Sequence, residues 1–310
     1  MSIYTFEPLV YIIMITFNGK HHLRLCLPSL MNTNYRNYRI FLIDNASSDG
    51  SAEYVKDHFP EVRVIRNAEN YGFAKGNNIA MKIAVREGAK YVLLLNDDTI
   101  ILDPNWLKQA VEVAEQNKTI GMVGFDLTNN SSRITQTELV VEEIKRISGC
   151  ALLIRTDMLK KLGYFDEVYF AYAEESDLEM RALKAGYCLQ KINIPIYHKG
   201  SGSFSKFPIQ FAFLFIRNWM RFSIKQESLG KALLRPLIVF DVMCNPLPIR
   251  QREVDVVLRQ KIDTGKRGLN ILLFIAAILW NIIFLPQTLL IRCREQYRVK
   301  LARKMLLDGK

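Results

Sequence analysis

Two clusters of carboxylates in this 310-residue chain are spaced so that they could do chemistry. Asn96-Asp97-Asp98 follows an apolar run at residues 91–95, and Glu174-Glu175-Ser176-Asp177 follows the aromatic Phe170-Ala171-Tyr172-Ala173. Adjacent acids repel unless something positive lies against them. A hard divalent cation carrying the phosphates of a substrate is the natural partner for Asp97 and Asp98. The plainer reading is an acidic turn ahead of a helix, since Asp103-Pro104-Asn105-Trp106 looks like a helix start. Glu174, Glu175 and Asp177 would stabilise a first helical turn through its dipole, yet three acids in four residues exceed what a cap needs. A carboxylate there could take a proton from an attacking hydroxyl.

Elements must deliver these groups. Residues 9–15, 38–43, 62–66 and 91–95 are short, strongly apolar runs that end in polar residues, with helical stretches between them at 21–31, 51–58 and 75–87. This alternation predicts a largely parallel sheet with helices on both faces. Ligands of such sheets sit beyond the carboxyl ends of the strands. A dinucleotide-binding Rossmann domain would need G-x-G-x-x-G after the first strand, where this chain has Thr16-Phe17-Asn18-Gly19-Lys20. Asp44, ending the second strand, can accept the imide N–H of a uracil or thymine ring, or cap its own turn with Ser47 and Ser48. Gly72 permits close approach of a nucleotide, and a helix start near Lys75 to Asn77 offers N–H groups to an anion. Further on, residues 106–116 read as an amphipathic helix, 120–125 and 148–154 as strands, and 127–145 as a polar loop with edge strands. A last strand ends at His198, before the glycine- and serine-rich Gly200-Ser201-Gly202-Ser203.

Five cysteines without a CxxC pair argue against a disulfide framework or a zinc site and suit a reducing cytosol. No basic segment followed by an apolar core opens the chain, so no signal peptide is expected. The net charge of +11 is unevenly spread: residues 199–310 hold 20 Lys/Arg against 7 Asp/Glu, while residues 1–198 hold 22 against 24. That final third is also rich in Phe, Leu, Ile and Trp, which points to an anionic membrane surface rather than to nucleic acid. Residues 271–291 are long enough to span a bilayer, but Asn281, Pro286 and Gln287 interrupt them and both flanks are basic. Positive charge at both ends contradicts a single span, so helices lying in or on the cytoplasmic leaflet are expected.

T-F-N at 16–18, I-D-N-A-S-S-D-G-S at 43–51, N-Y-G-F-A-K-G-N at 70–77 and L-L-L-N-D-D-T at 93–99 resemble, in order and spacing, the family 2 glycosyltransferases with the GT-A fold. Within that family the resemblance is to the rhamnosyltransferase-like branch of bacterial surface polysaccharide synthesis. It implies an α/β catalytic domain over residues 1–203, with a mixed, mainly parallel sheet, and a helical membrane-associating region over 204–310. The implied activity is inverting transfer of a sugar from a nucleotide-sugar donor, dTDP-L-rhamnose or alternatively a UDP-hexose, assisted by Mg²⁺ or Mn²⁺. The implied acceptor is a polyprenyl-diphosphate-linked saccharide at the cytoplasmic face of the membrane. A non-catalytic nucleotide-sugar-binding scaffold is the other reading, and a homo-oligomer is compatible with either. By the resemblance, Thr16, Asn18, Asp44, Asn45, Gly72, Lys75, Asn77, Asn96 and Asp97 line the donor side. Asp98 takes the metal position of a D-x-D motif whose first acid is here Asn96. By the same resemblance His198, just before the glycine- and serine-rich loop, completes the metal shell. Gly149, Cys150, Phe170, Tyr172 and Glu174 fall on the acceptor side. Glu175 stands where the family has an aspartate base, and Asp177 is the second candidate for that role.

Overall fold

The computed structural model describes residues 7–130, 138–200, 208–244, 264 and 266–309. The first strand shows how the layers form. In β1 (Val10–Thr16), Val10, Ile12 and Met14 point to one face and Tyr11 and Ile13 to the other, as the two-residue strand period requires. The first set packs with Leu23, Leu27 and Leu30 of α1 (Lys20–Met31) and with Trp106 and Leu107 of α4 (Trp106–Gln116). The second packs with Ala80, Met81 and Ala84 of α3 (Gly72–Arg86), Met158 and Leu159 of α5 (Thr156–Leu162) and Leu178 and Ala182 of α6 (Glu174–Ala185). The sheet is therefore buried on both sides, which explains its continuous apolar strands.

Strands β2 (Tyr38–Asp44), β3 (Val62–Arg66) and β4 (Tyr91–Asn96) complete a parallel half, alternating with α1, α2 (Ser51–His58) and α3. In its register Thr16 lies opposite Asp44, and Ile15 opposite Asn96, so three polar strand ends share one edge. The second half comprises β5 (Thr99–Ile101), β6 (Ile120–Thr128), β7 (Val141–Ile144), β8 (Ala151–Arg155) and β9 (Cys188–His198). The order is β3-β2-β1-β4-β8-β6-β9-β5, with β7 also on β9. Here β8 runs antiparallel between β4 and β6, β9 is parallel to β6, and β5 and β7 are antiparallel to β9. The parallel character expected from the sequence thus holds for β1–β4, and the rest makes the sheet mixed.

Among the described residues, four helices follow β9: α7 (Pro208–Gln226), α8 (Leu229–Cys244), α9 (Arg267–Ile283) and α10 (Leu285–Leu307). The expected boundary at 203/204 falls outside the described residues. No single described helix is long and apolar enough to cross a membrane, and α9 and α10 meet at a 64° bend. The polar residues of α7 point inward. Lys225 Nζ pairs with Asp166, Asp177 and Glu295, each at 2.9 Å, while Arg221 reaches Asp166 at 2.8 Å and Arg181 reaches Asp177 at 3.0 Å. This largely buried cluster ties α6, α7 and α10 together. Burial pushes the Asp166 carboxyl up, but the charges of Lys225 and Arg221 outweigh it and bring it down to about 2.

Two outcomes follow. Lys225→Met leaves three carboxylates facing one another without their shared cation and lowers stability by about 3–5 kcal/mol in urea unfolding. A loss below about 1 kcal/mol, the scale of a surface pair, would contradict that burial. Because the folded Asp166 value lies below the ordinary 3.8, its contribution is complete above that value and disappears as pH falls through about 2.

Candidate active site

The strand ends build one wall. Thr16 Oγ1 donates to Asp97 Oδ2 at 2.6 Å. The turn after β1 passes so close that a Cβ on Gly19 would lie 2.2 Å from that carboxylate oxygen and 2.4 Å from the Thr16 hydroxyl. Only glycine fits there. Burial pushes Asp97 up to about 7, with the Thr16 hydroxyl opposing and the Asp98 charge adding. Asp98 behaves differently. Strand β5 pairs antiparallel with β9 so that Thr99 faces His198, and His198 Nε2 comes within 3.2 Å of Asp98 Oδ1. Burial works to raise Asp98, but the hydrogen bond and charge of His198, helped by His22, hold it below the usual carboxylate range.

The donor set fits a divalent cation. Neighbouring ligands of an octahedral ion bonded at about 2.1 Å lie about 3 Å apart. That matches the 3.2 Å between Asp98 and His198. Among the described residues no group of three or more His, Cys, Asp or Glu side chains could hold a metal ion. Two protein donors would therefore leave positions for phosphate oxygens and water, as Mg²⁺-type sites commonly do.

Asp44, fully buried, accepts from the Ser47 N–H at 3.1 Å through Oδ1. Its Oδ2 has no hydrogen bond and lies 3.4 Å from Arg66 Nε. The capping role therefore uses Oδ1 alone. Other residues expected on the donor side are spent within the protein. Asn18 adopts φ 54° and accepts from the Ser48 N–H at 2.8 Å, tying the first two loops together. Asn45 donates to the Gly72 carbonyl and accepts from Asn67. Asn77 donates to the Phe73 carbonyl, and the Lys75 ammonium stands 3.4 Å from the centre of the Tyr71 ring. Gly72 is required for a reason other than nucleotide approach: at φ 72° its missing Cβ would lie 2.5 Å from the Phe170 carbonyl oxygen. That oxygen accepts from the Phe73 and Ala74 N–H groups, so the start of α3 is capped by protein and the expected anion site there is corrected.

The opposite wall is the turn before α6. Phe170, Tyr172 and Ala173 all have positive φ, at 63°, 72° and 72°. Left-handed non-glycine residues cost about 1–3 kcal/mol each and persist only where neighbours over-determine them. Here α7 does so. Asn218 Nδ2 lies 2.8, 2.7 and 2.9 Å from the carbonyls of Tyr169, Ala171 and Tyr172, and Arg217 Nη2 lies 2.7 Å from that of Val168. Burial and the like charge of Arg221 lower Arg217 to about 10, so it stays a cation at neutral pH. Tyr172 stacks edge-on against Phe211 and Phe215 of the same helix.

The clamped turn presents Glu174 and Glu175 at the start of α6. Glu174 is buried. Glu175 is half-buried, and its Oε2 is sheltered without a hydrogen-bond partner. A Cβ on Gly149 would touch Glu175 at 3.6 Å and Phe73 at 3.7 Å. The next residue, Cys150, accepts from the Asn96 N–H at 2.8 Å, so the entry to β8 joins the Glu175 wall to the Asn96–Asp98 wall. The buried Cys150 thiol is pushed well up by burial and then by Asp98, which disfavours the thiolate. Glu179, one turn beyond Glu175, accepts from the Ile147 N–H, and burial and the Glu175 charge push its carboxyl well up. Asp177 is corrected as a base. Fully buried, it is held by Lys225, Arg181, Tyr169 and Gln226, which fixes it as a charged structural group.

Gly19, Glu179, Arg217 and Asn218 escaped sequence reasoning. Arg217 and Asn218 did leave a signal, a polar pair inside an aromatic-rich segment that is consistent with an amphipathic helix. Ser201 and Ser203, after His198, lie outside the described residues.

Residues 11–163 match the family described as Glycosyl transferase family 2. An uncharacterized protein of Sinorhizobium fredii is 30% identical over 139 residues, and the chain spans 15% of its length. The glycosyltransferase GlyG of Streptococcus pneumoniae is 24% identical over 221 residues, covering 63% of this chain and 72% of that one. An N-acetylglucosaminyl-diphospho-decaprenol L-rhamnosyltransferase of Mycobacterium tuberculosis is also 24% identical, covering 57% and 71%. Among solved structures, the mannosyltransferase PcManGT from Pyrobaculum calidifontis, in complex with GDP-Man and Mn²⁺, superposes with a TM-score of 0.59 at 16% identity, covering 90% of this chain and 88% of that one. Residues 1–349 of S. aureus TarS with UDP-GlcNAc give 0.55 at 16% identity, covering 97% and 92%. These likenesses show the GT-A type of fold.

The clamp predicts a local effect. In Asn218→Ala, hydrogen–deuterium exchange accelerates in peptides spanning 168–174 and stays unchanged in β1–β4. Unchanged exchange at 168–174 would contradict the clamp.

Proposed function

The chain carries a glycosyl transferase family 2 domain at residues 11–163, and from that premise we propose that it transfers a sugar, with inversion, from a nucleoside diphosphate donor to a lipid-linked saccharide. The favoured donor is dTDP-L-rhamnose, supported by the sequence resemblance and by the mycobacterial relative. A UDP-hexose is the close alternative, since Asp44 Oδ2 can accept the imide N–H of either pyrimidine. The observation that carries the reading is the meeting of Asp98 and His198, 3.2 Å apart, at the edge where β1, β2 and β4 end.

Asp98 and His198 would hold a divalent cation, which supplies charge neutralisation to the departing diphosphate. The chain's own groups do the rest. Asp44 orients the base. Glu175, with one sheltered and unpaired carboxylate oxygen, accepts the proton of the acceptor hydroxyl as that oxygen bonds to the anomeric carbon. The bond to the diphosphate breaks on the opposite face, its electron pair leaves with the diphosphate, and configuration at that carbon inverts. Placement at the cytoplasmic face of a bacterial membrane, through residues 204–310, would bring this edge to an acceptor on a polyprenyl diphosphate.

The test pairs binding with turnover. One of dTDP-L-rhamnose, UDP-glucose and UDP-GlcNAc raises the melting temperature with Mn²⁺ or Mg²⁺, and Asp98→Ala abolishes the metal-dependent part. Glu175→Gln keeps the donor-induced shift while transfer falls by about 10²–10⁴-fold, the range of general-base catalysis. Undiminished transfer by Glu175→Gln would overturn the assignment of the base. A shift with nucleotide sugar but no transfer by the unaltered chain would favour the scaffold.

A further inference from the structure

Among the described residues, the outer side of the C-terminal helices is apolar and exposed. On α8 and α9 the inward residues Val239, Phe274 and Ala277 pack on Phe215, Ile216 and Met220 of α7. The outward residues do not: Leu233 is 69% exposed, Leu237 65%, Leu272 64% and Ile283 70%. The surface continues over the bend into Leu289 and Leu290 of α10. Exposed apolar surface on this scale marks an interaction face.

A cavity of about 290 Å³ opens further along α10, between α6, α7 and α10. Arg181 and Lys225 at its floor are already paired with Asp177 and Glu295. The three remaining cations of its lining, Lys184, Arg292 and Lys300, form no ion pair among the described residues. Lys184 and Arg292 donate instead to the carbonyls of Gln226 and Ile224. Burial and the like charge of Arg292 lower the Lys184 ammonium, so an anion between them would relieve a repulsion. Arg292 follows directly on Leu289-Leu290-Ile291, so the basic mouth lies at the margin of the apolar face.

The bend itself is fastened to α7. Asn281 Nδ2 donates to the Arg217 carbonyl at 3.1 Å, and Thr288 Oγ1 accepts from Arg221 Nη1 at 2.5 Å. Straightening α9 and α10 into a span would break both contacts, and Arg221 belongs to the Asp166 cluster. Apolar surface, a neighbouring basic mouth and a locked bend together select one occupant. We infer that this face docks flat on an anionic phospholipid leaflet, with the phosphate of a lipid headgroup held between Lys184, Arg292 and Lys300. The inference rests on the proposed function only for its purpose, since lipid docking would bring the sugar site to a lipid-linked acceptor.

Flotation with vesicles tests it without any sugar substrate, so its failure is separate from failure of the transferase reading. The full chain floats with vesicles of phosphatidylcholine containing phosphatidylglycerol, and at least tenfold less with phosphatidylcholine alone. Each of Lys184→Gln and Lys300→Gln weakens partition by roughly fivefold, the scale of one charge near an anionic surface, with unchanged melting temperature. Leu237→Asp with Ile283→Asp removes flotation. Equal flotation on both vesicle types would overturn the headgroup site. Release from vesicles by 10 mM inorganic phosphate at constant ionic strength would assign the mouth to free phosphate instead. A dimer in sedimentation equilibrium together with no flotation would assign the face to a second copy.

Discussion

Three residues of antiparallel pairing govern the candidate site. Strand β5 is only Thr99–Ile101, yet its register on β9 sets Thr99 opposite His198 and so brings residues a hundred positions apart within 3.2 Å. Asp98 reaches that edge because β4 is buried on both faces and ends in Asn96. His198 reaches it because β9, eleven residues long, pairs along β6 and carries its last three residues onto β5. Slipping the pairing by one residue would turn His198 to the other face of the sheet and leave Asp98 without its partner.

The second constraint is the grip of the C-terminal helices on the turn before α6. Three left-handed residues in four positions are an unfavourable local conformation, and Asn218 and Arg217 hold them by their carbonyls. The same turn supplies the Phe170 carbonyl that caps α3 and sets Glu175 beside Gly149. Below it, Lys225 closes the cluster that joins α6, α7 and α10. The helices whose outer surface is apolar are thus mechanically continuous with the proposed base. A change in how they sit has a short path, through α7, to Glu175.

Much of the first half was legible because burial on two faces writes itself plainly: apolar runs, then polar strand ends, in alternation with helices. Asp44 and Asp98 stand out by type and by their place at strand ends, whereas Glu175 and His198 are marked out by the family resemblance. The rest was hidden for physical reasons. Strand β5 is too short to carry a period. The polar residues of α7 look like a wet stripe, and only the facing Asp166 and the carbonyls of 168–172 reveal them as buried. Asn18 and Asn45 stand in motif positions, but their side chains lock loops to one another, and that of Asn77 bonds back within α3. Gly72 signals a tight approach, and sequence cannot say that the approaching group is Phe170 rather than a ligand. Asp177 sits two residues from Glu175 and, by helical geometry, points another way, into its cations.

The central claim is that Asp98 and His198 form one mount for a cation and a nucleoside diphosphate. Crystals of the full chain grown with UDP or dTDP and soaked in MnCl₂ test it by anomalous scattering. The account predicts a single strong manganese peak between Asp98 Oδ1 and His198 Nε2, adjoining the diphosphate oxygens. A nucleotide bound with its manganese elsewhere, or with no manganese at that pair, would contradict it.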